Sequence, residues 1–163
     1  PTIALVNGAT YGGAVGLVAC CDMAIATVRS RFCLSEVKIG LSPAVISPFV
    51  VAAMGERASR RFFLTAEAFD AQQANQFGLL HAVAQDEEDL KAQGQALIDN
   101  LLKNSPQAMG KTKALIKQVA RGDIDQSMRD YTVNLIASIR VSDEGQEGLG
   151  SFLEKRKPKW LQK

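Results

Sequence analysis

Apolar positions at the start of the chain come in short unbroken runs: Thr2 to Val6 reads as a buried strand, and Ala14 to Cys21 as a small-residue helix packed inside the protein. Between them Gly8, Gly12 and Gly13 let the backbone turn sharply and approach a neighbour or a ligand closely. Asp22 to Val28 is a second strand, and Arg29-Ser30-Arg31 a polar connection. Phe32 to Val37 then alternates, placing Phe32, Leu34 and Glu36 on one side of an extended segment and Cys33, Ser35 and Val37 on the other. Gly40, Pro43 and Pro48 break any regular pattern in the next stretch, so Lys38 to Ser47 reads as a loop that walls a pocket.

Helical spacing takes over after this loop. A helix runs from Pro48 to about Met54 with Ser47 as its cap and Gly55 as its stop, a second from Glu56 to Leu64, and a third from Asp70 to Gln76, ended by Gly78. Leu79 to Ala84 returns as a short strand carrying His81, the only histidine, with no serine or cysteine nucleophile motif beside it. Asp86, Glu87, Glu88 and Asp89 suit the positive end of the helix that continues through Leu102, and read as a cap in preference to a metal site. Ser105-Pro106 opens a helix whose buried stripe is Met109, Leu115, Ile116 and Val119, with Lys111, Lys113 and Lys117 on the wet side and Gly122 at its end. Ile124 to Val141 and Asp143 to Lys155 give two more, the last with Leu149, Phe152 and Leu153 on one face.

Composition changes near residue 85, from glycine and short strands to helix almost throughout, which predicts one α/β core (residues 1–85) with a helical C-terminal subdomain (86–163). Nineteen basic and 17 acidic residues leave a charge of +2, so nucleic acid binding has little electrostatic support outside the tail of Lys155, Arg156, Lys157, Lys159 and Lys163. No apolar run approaches the length of about 18 residues that spans a bilayer, and no membrane role is expected. Cys20, Cys21 and Cys33 lack zinc or disulfide spacing and fit buried thiols in a reducing, cytoplasmic compartment. The abrupt opening at Pro1, directly on a strand, suggests a segment of something longer.

Two places carry candidate chemistry. A helix starting at Gly13 directs its first unpaired amides into the space above the turn, the geometry of an anion or oxyanion site; tight packing alone explains the same glycines. Glu36, on a side otherwise apolar, gains the partial desolvation that suits a carboxyl group to proton transfer; the competing reading turns it to water or pairs it with Lys38.

Pro1-Thr2-Ile3-Ala4-Leu5-Val6-Asn7-Gly8, Gly12-Gly13, Cys21-Asp22, Phe32 through Glu36 with Gly40 and Pro43, Phe63-Leu64-Thr65 with Ala71 and Ala74, Gly78-Leu79, and Glu147-Gly148 with Phe152 through Arg156 follow one another in an order that resembles the C-terminal portion of the crotonase (enoyl-CoA hydratase/isomerase) family. The resemblance implies an α/β fold of ClpP/crotonase type, built of ββα units and lacking its N-terminal half, with residues 86–163 as an oligomerisation subdomain. It also implies trimers or pairs of trimers and an acyl-CoA thioester substrate, coenzyme A being part of the substrate and no separate cofactor or metal being used. Residue by residue, it assigns Gly13 N–H to the oxyanion hole, Glu36 to proton exchange beside the thioester, and Phe152 and Lys155 to coenzyme A. Gly12, Gly16, Pro43 and Ala44 fall in the acyl pocket. The family's usual second glutamate is replaced by Gly16, whose expected role is to leave room for a branched or carboxylated acyl group. The implied reaction is addition of water to an α,β-unsaturated acyl-CoA, most like the methylglutaconyl-CoA hydratases of leucine degradation. A single-glutamate enoyl-CoA isomerase and a non-catalytic binding or assembly fragment are the alternatives.

Overall fold

A computed structural model describes residues 1–120 and 122–162; among them six strands form two three-stranded sheets. β1 (Ile3–Val6), β3 (Met23–Thr27) and β6 (Ala82–Ala84) make an all-parallel sheet with β3 in the middle, Ile3 lying opposite Met23 and Ile25 opposite Ala82. In the second sheet β4 (Arg31–Cys33) lies between β2 (Ala9–Tyr11), its parallel partner, and β5 (Phe69–Asp70), its antiparallel one. The helices are α1 (Gly13–Cys20), α2 (Ser47–Thr65), α3 (Ala71–Gln76), α4 (Glu87–Leu102), α5 (Pro106–Val119), α6 (Gln126–Arg140) and α7 (Asp143–Leu153). Two compact units result, Pro1–Ala96 and Leu97–Lys163, divided inside α4 and not at the composition change near residue 85.

The first unit holds the core. Ala24, Ile25 and Ala26 are buried on both faces of β3, as the middle strand of a parallel sheet requires. Phe32 stacks on Phe69 at 5.6 Å between ring centroids, and Phe62 lies 4.4 Å from Phe69 and 5.3 Å from Phe77, so β4, β5, α2 and the end of α3 meet at one aromatic cluster. Asp70 and Gln73 form a reciprocal capping box at the start of α3, each side chain accepting the other's backbone N–H, at 2.8 and 3.1 Å. Asp86 accepts Asp89 N–H at 2.9 Å and Asp89 accepts Gln85 N–H at 2.8 Å, so two of the four clustered acids, one directly before α4 and one in its first turn, act as caps.

Several local expectations change. Ala9-Thr10-Tyr11 is a strand and not part of the turn; three residues are too few to display an alternation, and pairing with β4 decides their conformation. β4 ends at Cys33, and Glu36 opens a 3-10 turn (Glu36–Ile39) closed by Gly40 at φ 75°, so Glu36 does not share a strand face with Phe32. Pro48–Met54 and Glu56–Leu64 join in one helix bent at Gly55 (φ 77°, ψ 160°), and its cap is Ile46; Ser47 Oγ donates instead to Ala44 O at 2.9 Å. The final strand of this unit is limited to Ala82–Ala84 and leaves His81 just outside it.

In the second unit, side-chain caps fix the helix starts: Ser105 accepts Ala108 N–H, Asp125 accepts Met128 N–H and Ser142 accepts Gly145 N–H. The stripe expected to be buried on α5 is not: Met109 and Leu115 are half-buried, Ile116 and Val119 exposed, and Lys111 half-buried. Val133 and Ile136 on α6 and Leu149, Phe152 and Leu153 on α7 are exposed as well, because three helices by themselves enclose little volume. Glu147, with 13% of its side chain exposed, receives two hydrogen bonds from Arg156, at 2.6 and 3.0 Å, and Lys159 N–H at 3.0 Å. The Arg156 hydrogen bonds come first among the causes that outweigh desolvation and hold the Glu147 carboxyl at about 2, below its ordinary 4.5. Its contribution to stability is therefore fully present above pH 4.5 and is lost as pH falls from there to about 2. Thermal melts across that window should show a steeper loss for the parent than for Glu147→Gln, and equal slopes would remove Glu147 from the acid response.

Candidate active site

The β2–β4 ladder sets the turn. Gly12 N–H donates to Cys33 O at 2.8 Å, continuing the pairing one residue beyond β2, and the chain then enters α1 at Gly13. Gly12 sits at φ 53°, ψ −127°, a conformation L side chains rarely adopt. Val15 N–H donates to Gly12 O at 3.0 Å, whereas Gly13 N–H, at an exposed position, finds no acceptor among the described residues. An exposed, unpaired amide at a helix start, fixed by a strand ladder behind it, is a donor for developing negative charge.

The same ladder brings in the carboxyl group. Three residues beyond Cys33, Glu36 lies against the turn: a Cβ built on Gly12 would be 3.4 Å from Glu36 Oε1 and 3.7 Å from its Cδ. Glu36 Oε2 is buried and has no hydrogen-bond partner, and no ion pair joins Glu36 to Lys38 among the described residues. Leu41 N–H holds the Glu36 carbonyl at 3.0 Å, which ties the 3-10 turn to the loop after it. Glu36 and the Gly12-Gly13 turn are thus neighbours in space, a carboxyl group capable of proton transfer beside an amide capable of holding an oxyanion.

Of the other pocket residues, Pro43 is buried, with its carbonyl accepting Ser47 N–H at 3.0 Å, and Ala44 is exposed. Gly16 does not leave open space. A Cβ there would lie 2.2 Å from Ile46 Cγ2, so the space in that direction from Gly16 is filled by this chain's own isoleucine. Ile46 was beyond the reach of periodicity, since it lies in the irregular stretch before α2; a glycine inside a helix was the local sign that a neighbour sits close. Phe152 and Lys155 belong to the second unit, Phe152 being 80% exposed and Lys155 exposed at φ 55° just after α7.

The remaining candidates have structural partners. His81 accepts Ala24 N–H at Nδ1 (3.1 Å) and donates its own backbone N–H to Ala24 O (2.8 Å). Cys33 is buried and donates to Ala66 O at 3.3 Å, while Cys21 is half-buried and Cys20, expected to be buried, is exposed. In the basic tail Arg156 is engaged by Glu147 and Glu154, and Lys163 lies outside the described residues. No group of three metal-ligating side chains is found among the described residues, and no described helix is long and apolar enough to cross a membrane.

Residues 1–163 match the family model for enoyl-CoA hydratase/isomerase from end to end. The chain belongs to the enoyl-CoA hydratase/isomerase family. Within the family, the enoyl-CoA hydratase AKT6-1 of Alternaria alternata is 40% identical over 158 residues, which cover 96% of this chain and 52% of the relative. The Delta(3,5)-Delta(2,4)-dienoyl-CoA isomerase of Dictyostelium discoideum is 30% identical over 163 residues, 97% of this chain and 54% of that protein. The crystal structure of an enoyl-CoA hydratase from Shewanella pealeana superposes with a TM-score of 0.93 at 56% identity, covering 98% of this chain and 59% of that one. The fold is that of the crotonase enzymes, a mixed α/β core followed by helices, and the chain spans about half the length of the curated relatives it matches.

Proposed function

We propose that this chain carries the proton-transfer group and one carbonyl-binding amide of an enoyl-CoA hydratase. The observation that supports this most is the closeness of the Glu36 carboxyl group to Gly12, directly before the exposed Gly13. In this reading the thioester oxygen accepts Gly13 N–H, water adds at the β-carbon of the conjugated double bond, and Glu36 takes a proton from water and delivers one to the α-carbon. The amide is in place before charge develops, so its stabilisation costs no reorganisation. Phe152 and Lys155 are assigned to the nucleotide end of coenzyme A, and Pro43 and Ala44 to the acyl side. The exposed apolar faces of α6 and α7 suit a homo-oligomer, a trimer or a pair of trimers. A branched, methylglutaconyl-like acyl group is the finer form of the substrate proposal.

A second reading has one specific observation in its favour. Ile46 occupies the space beside Gly16, leaving Glu36 as the carboxyl group on that face of α1, and one carboxyl group suffices to move a proton between carbons in an enoyl-CoA isomerase. Crotonyl-CoA and 3-hexenoyl-CoA, supplied to the longest natural chain that contains residues 1–163, separate the two. Formation of a 3-hydroxyacyl-CoA from the first supports the hydratase, conversion of the second to its 2-enoyl isomer alone supports the isomerase, and saturable coenzyme A thioester binding without either product would replace both with a binding role.

A further inference from the structure

Gly12 stands directly before α1 and Gly16 is the fourth residue of that helix, about one helical turn further along the chain. The atoms nearest the first belong to the Glu36 carboxyl group, and those nearest the second to Ile46. A Cβ on Gly16 would lie 2.2 Å from Ile46 Cγ2 and 2.6 Å from its Cβ, so the glycine and the isoleucine are fitted to each other. Ile46 is also held from behind. Its carbonyl accepts the N–H groups of Phe49 and Val50, each at 3.1 Å, which caps α2, and it packs, partly buried, against the hydrophobic core.

We propose that Ile46 is a specificity-determining residue of the acyl site. Seated on Gly16, it forms an apolar wall one turn of α1 from the Glu36 carboxyl group, and the acyl chain of the thioester is selected by its fit against that wall. The inference rests on the acyl-CoA reading and deepens it: the substrate class is a short 2-enoyl-CoA, whose tail ends at Ile46. Longer tails meet its methyl groups.

The test is the ratio of kcat/KM for 2-octenoyl-CoA to that for crotonyl-CoA, measured in the longest natural chain that contains residues 1–163. Ile46→Ala removes three carbons from the wall and is expected to raise the ratio by about tenfold or more, with Ile46→Val between it and the parent. A residue that only supports the fold lowers both values together and leaves the ratio unchanged. Because Ile46→Ala can weaken the protein, Ile46→Val and Ile46→Leu carry the same comparison with smaller changes of volume, and thermal melts give an independent check: a Cβ on Gly16 meets both the Cγ2 and the Cβ of Ile46, so Gly16→Ala should lower the melting temperature alone and be rescued in Gly16→Ala/Ile46→Gly. A ratio within twofold of the parent in all three Ile46 variants, or absence of rescue, overturns the assignment of Ile46 while the acyl-CoA reading stands. A parent that turns over neither thioester overturns that reading and this inference with it.

Discussion

Glu36→Gln is expected to reduce turnover of an enoyl-CoA by about 10²–10⁴-fold and to leave thioester binding nearly intact. The amide fills the volume of the carboxyl group against Gly12, so the turn and the Gly13 N–H keep their places, but it cannot exchange a proton. The buried Oε2 position, which has no hydrogen-bond partner among the described residues, also argues against a structural role for the carboxylate, since a group kept for stability would be paired. Steady-state rates and calorimetric titration with a saturated acyl-CoA check both halves. Turnover within tenfold of the parent would remove Glu36 from the chemistry, and loss of binding in step with rate would mean that it holds the turn.

The second large effect is on stability. Gly145 lies in the first turn of α7, and a Cβ there would be 2.1 Å from Ile139 O and 3.2 Å from Ser142 Oγ. Ser142 closes this corner by accepting Gly145 N–H at 3.2 Å while its hydroxyl donates to Ile139 O at 2.7 Å. Replacing a helical glycine by alanine ordinarily gains about 1 kcal/mol. Here the obstacle is backbone, which cannot rotate away as a side chain does, and overpacking of that kind costs at the upper end of about 1–3 kcal/mol or beyond. Gly145→Ala is therefore expected to destabilise by about 2 kcal/mol net. Gly110 in α5 has nothing within 4 Å of its own Cβ position, so Gly110→Ala should stabilise by up to about 1 kcal/mol. Denaturant midpoints of the two variants should move in opposite directions, and movement in the same direction would refute the corner argument.

How far the amino-acid sequence reveals these features depends on the range of the interactions behind them. The Gly12-Gly13 turn and the start of α1 were legible because backbone freedom and small apolar residues act within a few positions. Glu36 was legible as a residue type in apolar company, but its setting was not: the strand that should have carried it ends at Cys33, and a 3-10 turn presents it instead. The juxtaposition of Glu36 with Gly12 depends on β2 pairing with β4, and a three-residue strand leaves no alternation to read. Gly16 shows the same limit from the other side. Its presence in a helix marked a spatial demand, yet that demand came from Ile46, thirty positions along, and no local pattern could name it. On α5, periodicity correctly grouped Met109, Leu115, Ile116 and Val119 on one face; a period tells which residues point the same way and is silent on what covers them, and the described chain leaves that face largely open.

The lone imidazole of this chain has a spectroscopic consequence. Because His81 accepts Ala24 N–H at Nδ1, its neutral ring must carry its proton on Nε2, so folding of the first unit selects one tautomer of a side chain that exchanges freely between two in an unfolded chain. With a single histidine there is nothing to assign. The nitrogen resonances of one ring would report in solution whether β3 and β6 have closed on each other, a reporter built in without a label and bonded to Ala24, so that the integrity of every active-site variant can be read separately from its activity.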